Sequence, residues 1–72
     1  MEDRIVIQPD VCNGRPVIRG TRIPVQTILG FLGAGDPIEE ILKEFPALER
    51  EDVLACIRYS SRVMATQFGS IA

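Results

Sequence analysis

Residues 13–25 read NGRPVIRGTRIPV, and within this stretch the sequence pattern changes from β-type to α-type. Asn13 and Gly14 both tolerate a positive φ, so the pair predicts a tight two-residue hairpin turn. Residues 16–18, PVI, predict a short strand after that turn. Pro24 has a fixed φ and no N–H, which suits the first position of a helix. The stretch is therefore expected to join a small β part to a helical part.

The same stretch is the net-basic part of an acidic chain. Residues 11–25 contain Arg15, Arg19 and Arg22 and no carboxylate. Residues 36–52 hold seven acidic side chains against two basic ones, and the net charge of the whole chain is -2. A basic face and an acidic face are therefore expected. The arginines form either a basic contact surface or an ordinary structured turn in which they bond nearby carboxylates and carbonyls.

Hydrophobic periodicity predicts one strand before this stretch and three helices after it. Residues 4–8 are rich in β-branched side chains and are expected to pair with residues 16–18. The first helix is expected to end at Gly35. Gly30 and Gly33 within it indicate either a short helix or the close approach of another backbone. The expected inner faces are Val25, Ile28, Leu29 and Leu32 in the first helix, Ile38, Ile41, Leu42 and Phe45 in the second, and Val53, Cys56, Ile57, Ser60 and Met64 in the third.

The second and third helices have recognisable start signals. Asp36, Pro37 and Glu39 match an N-cap, a proline at the first position and the glutamate of a capping box. The third helix is expected to begin near Glu49, after a three-residue turn, and to give way to a frayed tail over residues 69–72. Two helices joined by such a turn are typical of a helix-turn-helix unit.

At 72 residues the chain is expected to be a single domain. Residues 1–24 form the short strands and basic hairpin, and residues 25–68 form a three-helix bundle. The fold class is thus mainly α with a short N-terminal β-hairpin. Two short strands are barely stable alone in water, and so small a core supplies little net stability. We therefore expect the chain to associate with itself, as a homodimer.

The composition argues against several function classes. The chain has no histidine, no glycine-rich phosphate loop, and no serine or cysteine beside an evident base, so we expect no enzyme activity and no catalytic residues. Cys12 and Cys56 form no close pair, which argues against a zinc site, and neither a metal nor a cofactor is expected. They are either two free thiols in a reducing cytosol or one disulfide. With no signal-peptide pattern and no run of 18 apolar residues, the chain is expected to be cytoplasmic, soluble and without a membrane partner.

The runs PDVCNGRPVIRGTRIPVQTIL and LGAGDPIEEILKEFPALEREDVLACIRYS resemble the bacterial family known as domain of unknown function 433. The resemblance covers about residues 5–60, and its most specific motif is I-x-G-T-R-I-P-V at residues 18–25. It implies a homeodomain-like helix-turn-helix fold and an antitoxin of the VapB-like kind, from a type II toxin–antitoxin module. It also implies a PIN-type ribonuclease toxin as partner, and an antitoxin dimer that acts as an autorepressor on its own double-stranded DNA operator.

One position departs from the family pattern. Family members usually have Thr or Ser at the N-cap of the third helix, where this chain has Glu49. Helix-turn-helix proteins place the first residues of the recognition helix against base edges. Glu49, Glu51 and Asp52 would there face phosphates, so we expect the cationic contacts to lie elsewhere. The candidate nucleic-acid-binding residues are Arg15, Arg19, Arg22 and Arg58.

The alternative function is a protein-interaction module that does not bind DNA. In that case the acidic helix face or the basic hairpin docks a partner protein. A reading frame for a small PIN-like protein directly downstream of the gene would favour the antitoxin.

Overall fold

A computed structural model describes residues 3–68 of the chain. Its elements are β1 (Ile5–Val6), a 3-10 turn (Cys12–Gly14), β2 (Val17–Ile18), α1 (Val25–Gly33), α2 (Ile38–Glu44) and α3 (Arg50–Phe68). Three helices and a short antiparallel strand pair confirm the fold class expected from the sequence. The expectation of a frayed tail over residues 69–72 lies outside the described residues.

The two strands pair antiparallel, with Ile5 opposite Ile18 and Val6 opposite Val17. The predicted pairing of these strands is confirmed. The second strand is also held from its other side, because the amide of Ile18 donates to the carbonyl of Ile23 at 3.0 Å. The segment that leads into α1 therefore supports a strand pair that would be marginal alone.

The predicted two-residue hairpin turn at Asn13 and Gly14 is wrong, because ten residues, 7–16, connect β1 to β2. The backbone preference behind that prediction is present: φ is 59° at Asn13 and 76° at Gly14. Cys12 also has a positive φ, of 51°, and the three residues form a 3-10 turn within the connection. A positive φ at adjacent residues is compatible with both geometries, so this local signal could not choose between them.

The first helix ends in a Schellman-type cap around Gly35, in agreement with the predicted helix end. The amides of Gly35 and Asp36 donate to carbonyls of the last helical turn, both at 3.0 Å, and φ of Gly35 is 95°. A Cβ added at Gly30 or Gly33 would meet no atom within 4 Å. No described backbone therefore approaches these glycines closely, and they belong to a helix of nine residues.

Both prolines at the helix starts lie one position outside their helices. Pro24 and Pro37 have extended ψ angles of 145° and 158° and occupy the N-cap positions of α1 and α2. The predicted capping box of α2 is also wrong, because Pro37 and not Asp36 occupies the N-cap position, and Pro37 makes no side-chain capping bond. Glu39 instead accepts a 3.5 Å hydrogen bond from Arg50 on α3. The amide of Asp36 is already used in closing α1.

The core lies where the strands, α1, α2 and the first half of α3 meet. Ile41 and Val53 are 1% and 0% exposed, in agreement with the predicted faces of α2 and α3. Five residues, 45–49, separate these two helices rather than three, and the pair forms the helix-turn-helix unit. The buried apolar residues are Ile5, Val17, Ile18, Val25, Ile28, Ile41, Leu48, Val53, Ala55 and Cys56.

The predicted inner face of α3 is correct only in its first half. Val53 and Cys56 are buried, but Ile57 is 43% exposed and Met64 is 56% exposed, so placing these two in the core was wrong. The neighbours of this helix, which are α1, α2 and β1, pack mainly on its first half. Every residue over 61–68 is exposed, because the helix continues beyond the elements that cover it.

Candidate nucleic-acid interface

Arg19 and Arg22 flank a tight turn that follows β2. The amide of Thr21 donates to the carbonyl of Ile18 at 3.0 Å, and Gly20 supplies the positive φ, 79°, that such a turn requires. The Thr21 hydroxyl donates to the same carbonyl at 2.7 Å, and it accepts a hydrogen bond from the amide of Ile23 at 3.0 Å. The turn is thus fixed by backbone and side-chain bonds, and both arginines on it are exposed.

Arg15 is displayed on a neighbouring loop, directly after the 3-10 turn. The Cys12 thiol donates to the carbonyl of Arg22 at 3.3 Å, which joins this loop to the turn described above. Arg15 is exposed, and its guanidinium lies 3.5 Å from the side-chain oxygen of Gln26. We call these two segments, residues 12–15 and 19–22, the arginine loops. They bring together three of the four arginines that the sequence singled out.

Within the described part of the chain, the guanidinium groups of the arginine loops have no carboxylate partner. Among residues 3–68, Arg15, Arg19 and Arg22 take part in no ion pair. The ion pairs in the described part of the chain include Arg4 with Glu49 and Asp52, Lys43 with Glu40, Arg50 with Glu39, and Arg58 with Glu51. The three charges of the arginine loops are therefore open to an anionic partner.

The start of α3 is built around Asp52, whose role the sequence analysis missed. Asp52 is 8% exposed, and its Oδ2 accepts the backbone amide of Glu49 at 2.8 Å, as the third residue of a capping box does. Its Oδ1 accepts a 2.9 Å bond from Arg4, which also bonds the Glu49 carboxylate at 3.0 Å. The bond to Asp52 and then the bond to Glu49 raise the pKa of Arg4.

This network changes the expected electrostatics of the recognition-helix position. Of the three acids expected to face phosphates, Asp52 is buried and bonded to Arg4, and Glu49 shares the same guanidinium. The spacing from Glu49 to Asp52 could have indicated the cap. No sequence signal could have indicated Arg4, which is 45 and 48 residues away from its partners.

Arg58 lies on α3 and not on the arginine loops. Its guanidinium is 3.3 Å from the Glu51 carboxylate, two helical turns earlier, and both side chains are about half exposed. This pair compensates the third acid at the start of the helix. Arg58 is therefore a cation already engaged by a carboxylate, unlike Arg15, Arg19 and Arg22.

An apolar groove runs between the start of α1 and the middle of α3. It has a volume of about 240 Å³ and is lined by Val25 and Leu29 on one side and by Tyr59, Val63 and Met64 on the other, with Arg15 at its edge. Tyr59 is half-buried and packs against the core. The groove is a surface suited to apolar side chains of a partner protein.

The described residues offer little reactive chemistry. Within residues 3–68, no three His, Cys, Asp or Glu side chains form a group that could hold a metal ion. Cys12 and Cys56 are free thiols, and burial, followed by the charge of Asp52, raises the pKa of Cys56 from 9.0 to about 11. In the same part of the chain, no helix combines the length and apolar composition that crossing a membrane requires.

Two proteins show how this chain relates to others. A crystal structure at 2.00 Å of a DUF433 member protein from Anabaena variabilis is 39% identical and superposes with a TM-score of 0.80, covering 85% of this chain and 60% of that one. The uncharacterized protein y4eO from Sinorhizobium fredii (strain NBRC 101917 / NGR234) is 37% identical over 49 residues, which are 68% of this chain and 22% of that protein. The chain therefore spans less than two thirds of either relative. The family described as "Protein of unknown function (DUF433)" matches residues 5–60, and the chain belongs to this family.

Proposed function

We propose that this chain is a DNA-binding autorepressor and the antitoxin of a type II toxin–antitoxin module, acting as a homodimer. The observation that carries the DNA-binding part is the exposure of Arg15, Arg19 and Arg22 on two joined loops without a carboxylate partner among the described residues. Phosphate neutralisation supplies much of the affinity of proteins for duplex DNA. A dimer presents six such arginines to the phosphate backbone.

The start of α3 is a poor candidate for reading bases in this chain. The Asp52 carboxylate is buried in its cap and bonded to Arg4, so it is not available to base edges. Glu49 and Glu51 are compensated by Arg4 and Arg58, which reduces their repulsion of phosphates. We therefore assign the main DNA contact to the arginine loops and a secondary one to Arg58.

The toxin part of the proposal draws on the family resemblance, with a PIN-type ribonuclease as the partner. The apolar groove beside Arg15 supports it, since it offers a protein-binding surface distinct from the turn that carries Arg19 and Arg22. The same groove favours the second candidate function, a protein-interaction module that does not bind DNA. Co-expression with the product of the neighbouring gene, followed by gel filtration with and without upstream DNA, separates these two functions.

The DNA-binding part is tested by the salt dependence of binding. Replacing Arg19 and Arg22 by alanine removes four phosphate contacts per dimer, which should flatten the salt slope by up to about 3.6 at about 0.9 per contact. The loss of affinity should be similar on the upstream operator and on random duplex, because phosphate contacts carry no sequence information. Fluorescence anisotropy over a salt series measures both quantities.

The matched control is the double variant Lys43→Ala/Arg50→Ala. It removes the same two positive charges, but from side chains that are paired with Glu40 and Glu39. Its salt slope should equal that of the unmodified protein. Equal flattening in both double variants would show that net charge alone decides binding. No DNA complex at any salt concentration would leave the protein-interaction module as the function.

A further inference from the structure

One face of α3 carries an apolar stripe that the described part of the chain leaves largely uncovered. Ile57, Met64 and Phe68 are 43%, 56% and 67% exposed. Together with half-buried Leu54 and exposed Ser61, they follow one another at spacings of three, four, three and four residues. This is the spacing of a coiled-coil seam, in which each side chain faces a partner helix. We call residues 54, 57, 61, 64 and 68 the α3 seam.

We infer that the α3 seam is the surface through which two copies of this chain pair, with their α3 helices antiparallel. The inference deepens the homodimer of the proposed function and does not depend on DNA binding. A two-fold axis between residues 62 and 63 places Ile57 opposite the partner's Phe68. It also places Ser61 opposite the partner's Met64. The pairing thus covers the most exposed apolar side chain of the helix and sets a small residue against a large one.

The charges along the helix suit a second copy better than a strongly charged partner helix. From residue 53 to residue 68 the only charged side chains are Arg58 and Arg62, and Arg58 is paired with Glu51 of its own chain. In the antiparallel register Arg58 lies beside the partner's Ala65, and Ser60 lies beside the partner's Gln67. Arg58 therefore faces no like charge across the seam.

The length of the seam indicates a weak dimer. In this register the paired part of the seam is residues 57–68, and these twelve residues span about 18 Å of helix. A standard stable interface covers about 800 Å² per partner, which would be about a sixth of the 4980 Å² surface of this chain. A single short helix pair falls at the lower end of that class. Dimerisation should therefore depend on concentration in the micromolar range.

Sedimentation equilibrium of the full chain tests the surface. The unmodified protein should dimerise as its concentration rises, and Ile57→Asp/Phe68→Asp, which leaves the apolar groove unchanged, should weaken dimerisation by about 30-fold or more, the change expected for an interface hot spot. Its far-UV circular dichroism should be unchanged, since both side chains are exposed. The control Thr66→Asp adds a charge to an exposed position of the same helix away from the seam, and should dimerise normally. An unmodified protein that stays monomeric, or a seam variant that dimerises normally, would overturn the inference.

Oxidative cross-linking tests the register. In a Cys12→Ser background, Ser61→Cys and Met64→Cys are prepared separately, and buried Cys56 is retained. A mixture of the two variants should form a disulfide between unlike chains when oxidised. Cross-linking of Ser61→Cys with itself, to the same extent as the mixture, would contradict the antiparallel register.

DNA binding measured on the same samples separates this inference from the proposed function. The seam variant retains all three arginines of the arginine loops, so as a monomer it should still bind duplex with about half the salt slope of the dimer. If the unmodified protein dimerises through the seam but binds no DNA, the autorepressor proposal fails and the seam stands. If DNA binding is normal and the seam variant remains dimeric, the seam inference fails and the autorepressor proposal stands.

Discussion

The two halves of α3 contrast sharply although they form one continuous helix, Arg50–Phe68. In the first half, Asp52, Val53, Ala55 and Cys56 are buried. Ile57, although it lies beside Cys56, is on a different face of the helix and is exposed, and in the second half Met64 and Phe68 are exposed as well. Apolar periodicity therefore identifies the face of a helix that can be covered, but it does not show how far along the helix the covering elements extend.

The largest effect expected from this contrast comes from aspartate substitutions one turn apart. Val53→Asp places an unpaired charge at a position that is 0% exposed and should cost more than about 4 kcal/mol, enough to unfold so small a domain. Ile57→Asp, at a position that is 43% exposed, should keep the helical circular dichroism and most of the melting temperature in dilute solution. Thermal unfolding of both variants makes the comparison. If Ile57→Asp also unfolds the chain, the boundary between the two halves lies further along the helix.

A smaller effect should follow from removing the cap of the first half. Asp52→Ala removes the bond to the Glu49 amide and the bond to Arg4, at an expected cost of about 2 kcal/mol in unfolding free energy. Glu51→Ala, one residue away and exposed, should change it by less than about 0.5 kcal/mol. Chemical denaturation measures the unfolding free energies of both variants.

A double-mutant cycle of Arg4→Ala and Asp52→Ala then separates the contribution of the capping bond from that of the Arg4–Asp52 ion pair. The Arg4 side chain is 39% exposed, so solvent screens its attraction to Asp52 and the coupling energy should be smaller than the loss caused by Asp52→Ala. Equal unfolding free energies for Asp52→Ala and Glu51→Ala would mean that the capping bond contributes nothing measurable.

The smallest effect concerns the Cys56 thiol at the inner face of the first half. Its pKa is 9.0 in an ordinary setting and about 11 in the fold, so the folded chain retains this proton at pH values where the unfolded chain has lost it. The thiol leaves the free energy of unfolding unaffected below pH 9.0. The free energy of unfolding should fall as pH rises toward about 11, and the loss should be about 1 kcal/mol midway between these two pH values.

Urea unfolding across that pH window, compared with Cys56→Ala to subtract the titration of other groups, measures the contribution. The loss between the two pH values should be larger in the unmodified protein than in Cys56→Ala. At neutral pH a thiol reagent should label Cys12 before Cys56, because Cys12 is only half-buried. An equal pH dependence in both proteins would show that Cys56 ionises freely in the fold.

The arginine loops show the same division between local and tertiary information. The basic character of residues 11–25 was visible in the sequence, and the structure places Arg15, Arg19 and Arg22 on joined, exposed loops. The repulsion expected from the start of α3 was overestimated, because Arg4 reaches that helix from a distant part of the chain. Charges counted along a sequence do not show which of them are already compensated.

By itself the sequence determined the order and type of the elements, the strand pairing and the faces of α1 and α2. These follow from side-chain periodicity and from the conformational preferences of proline and glycine, which act over a few residues. Only the tertiary structure decided the ten-residue connection between the strands, the Arg4–Asp52 bond and the point where α3 leaves the core. These depend on contacts between residues far apart in the chain, and no local preference specifies which distant groups come within bonding distance.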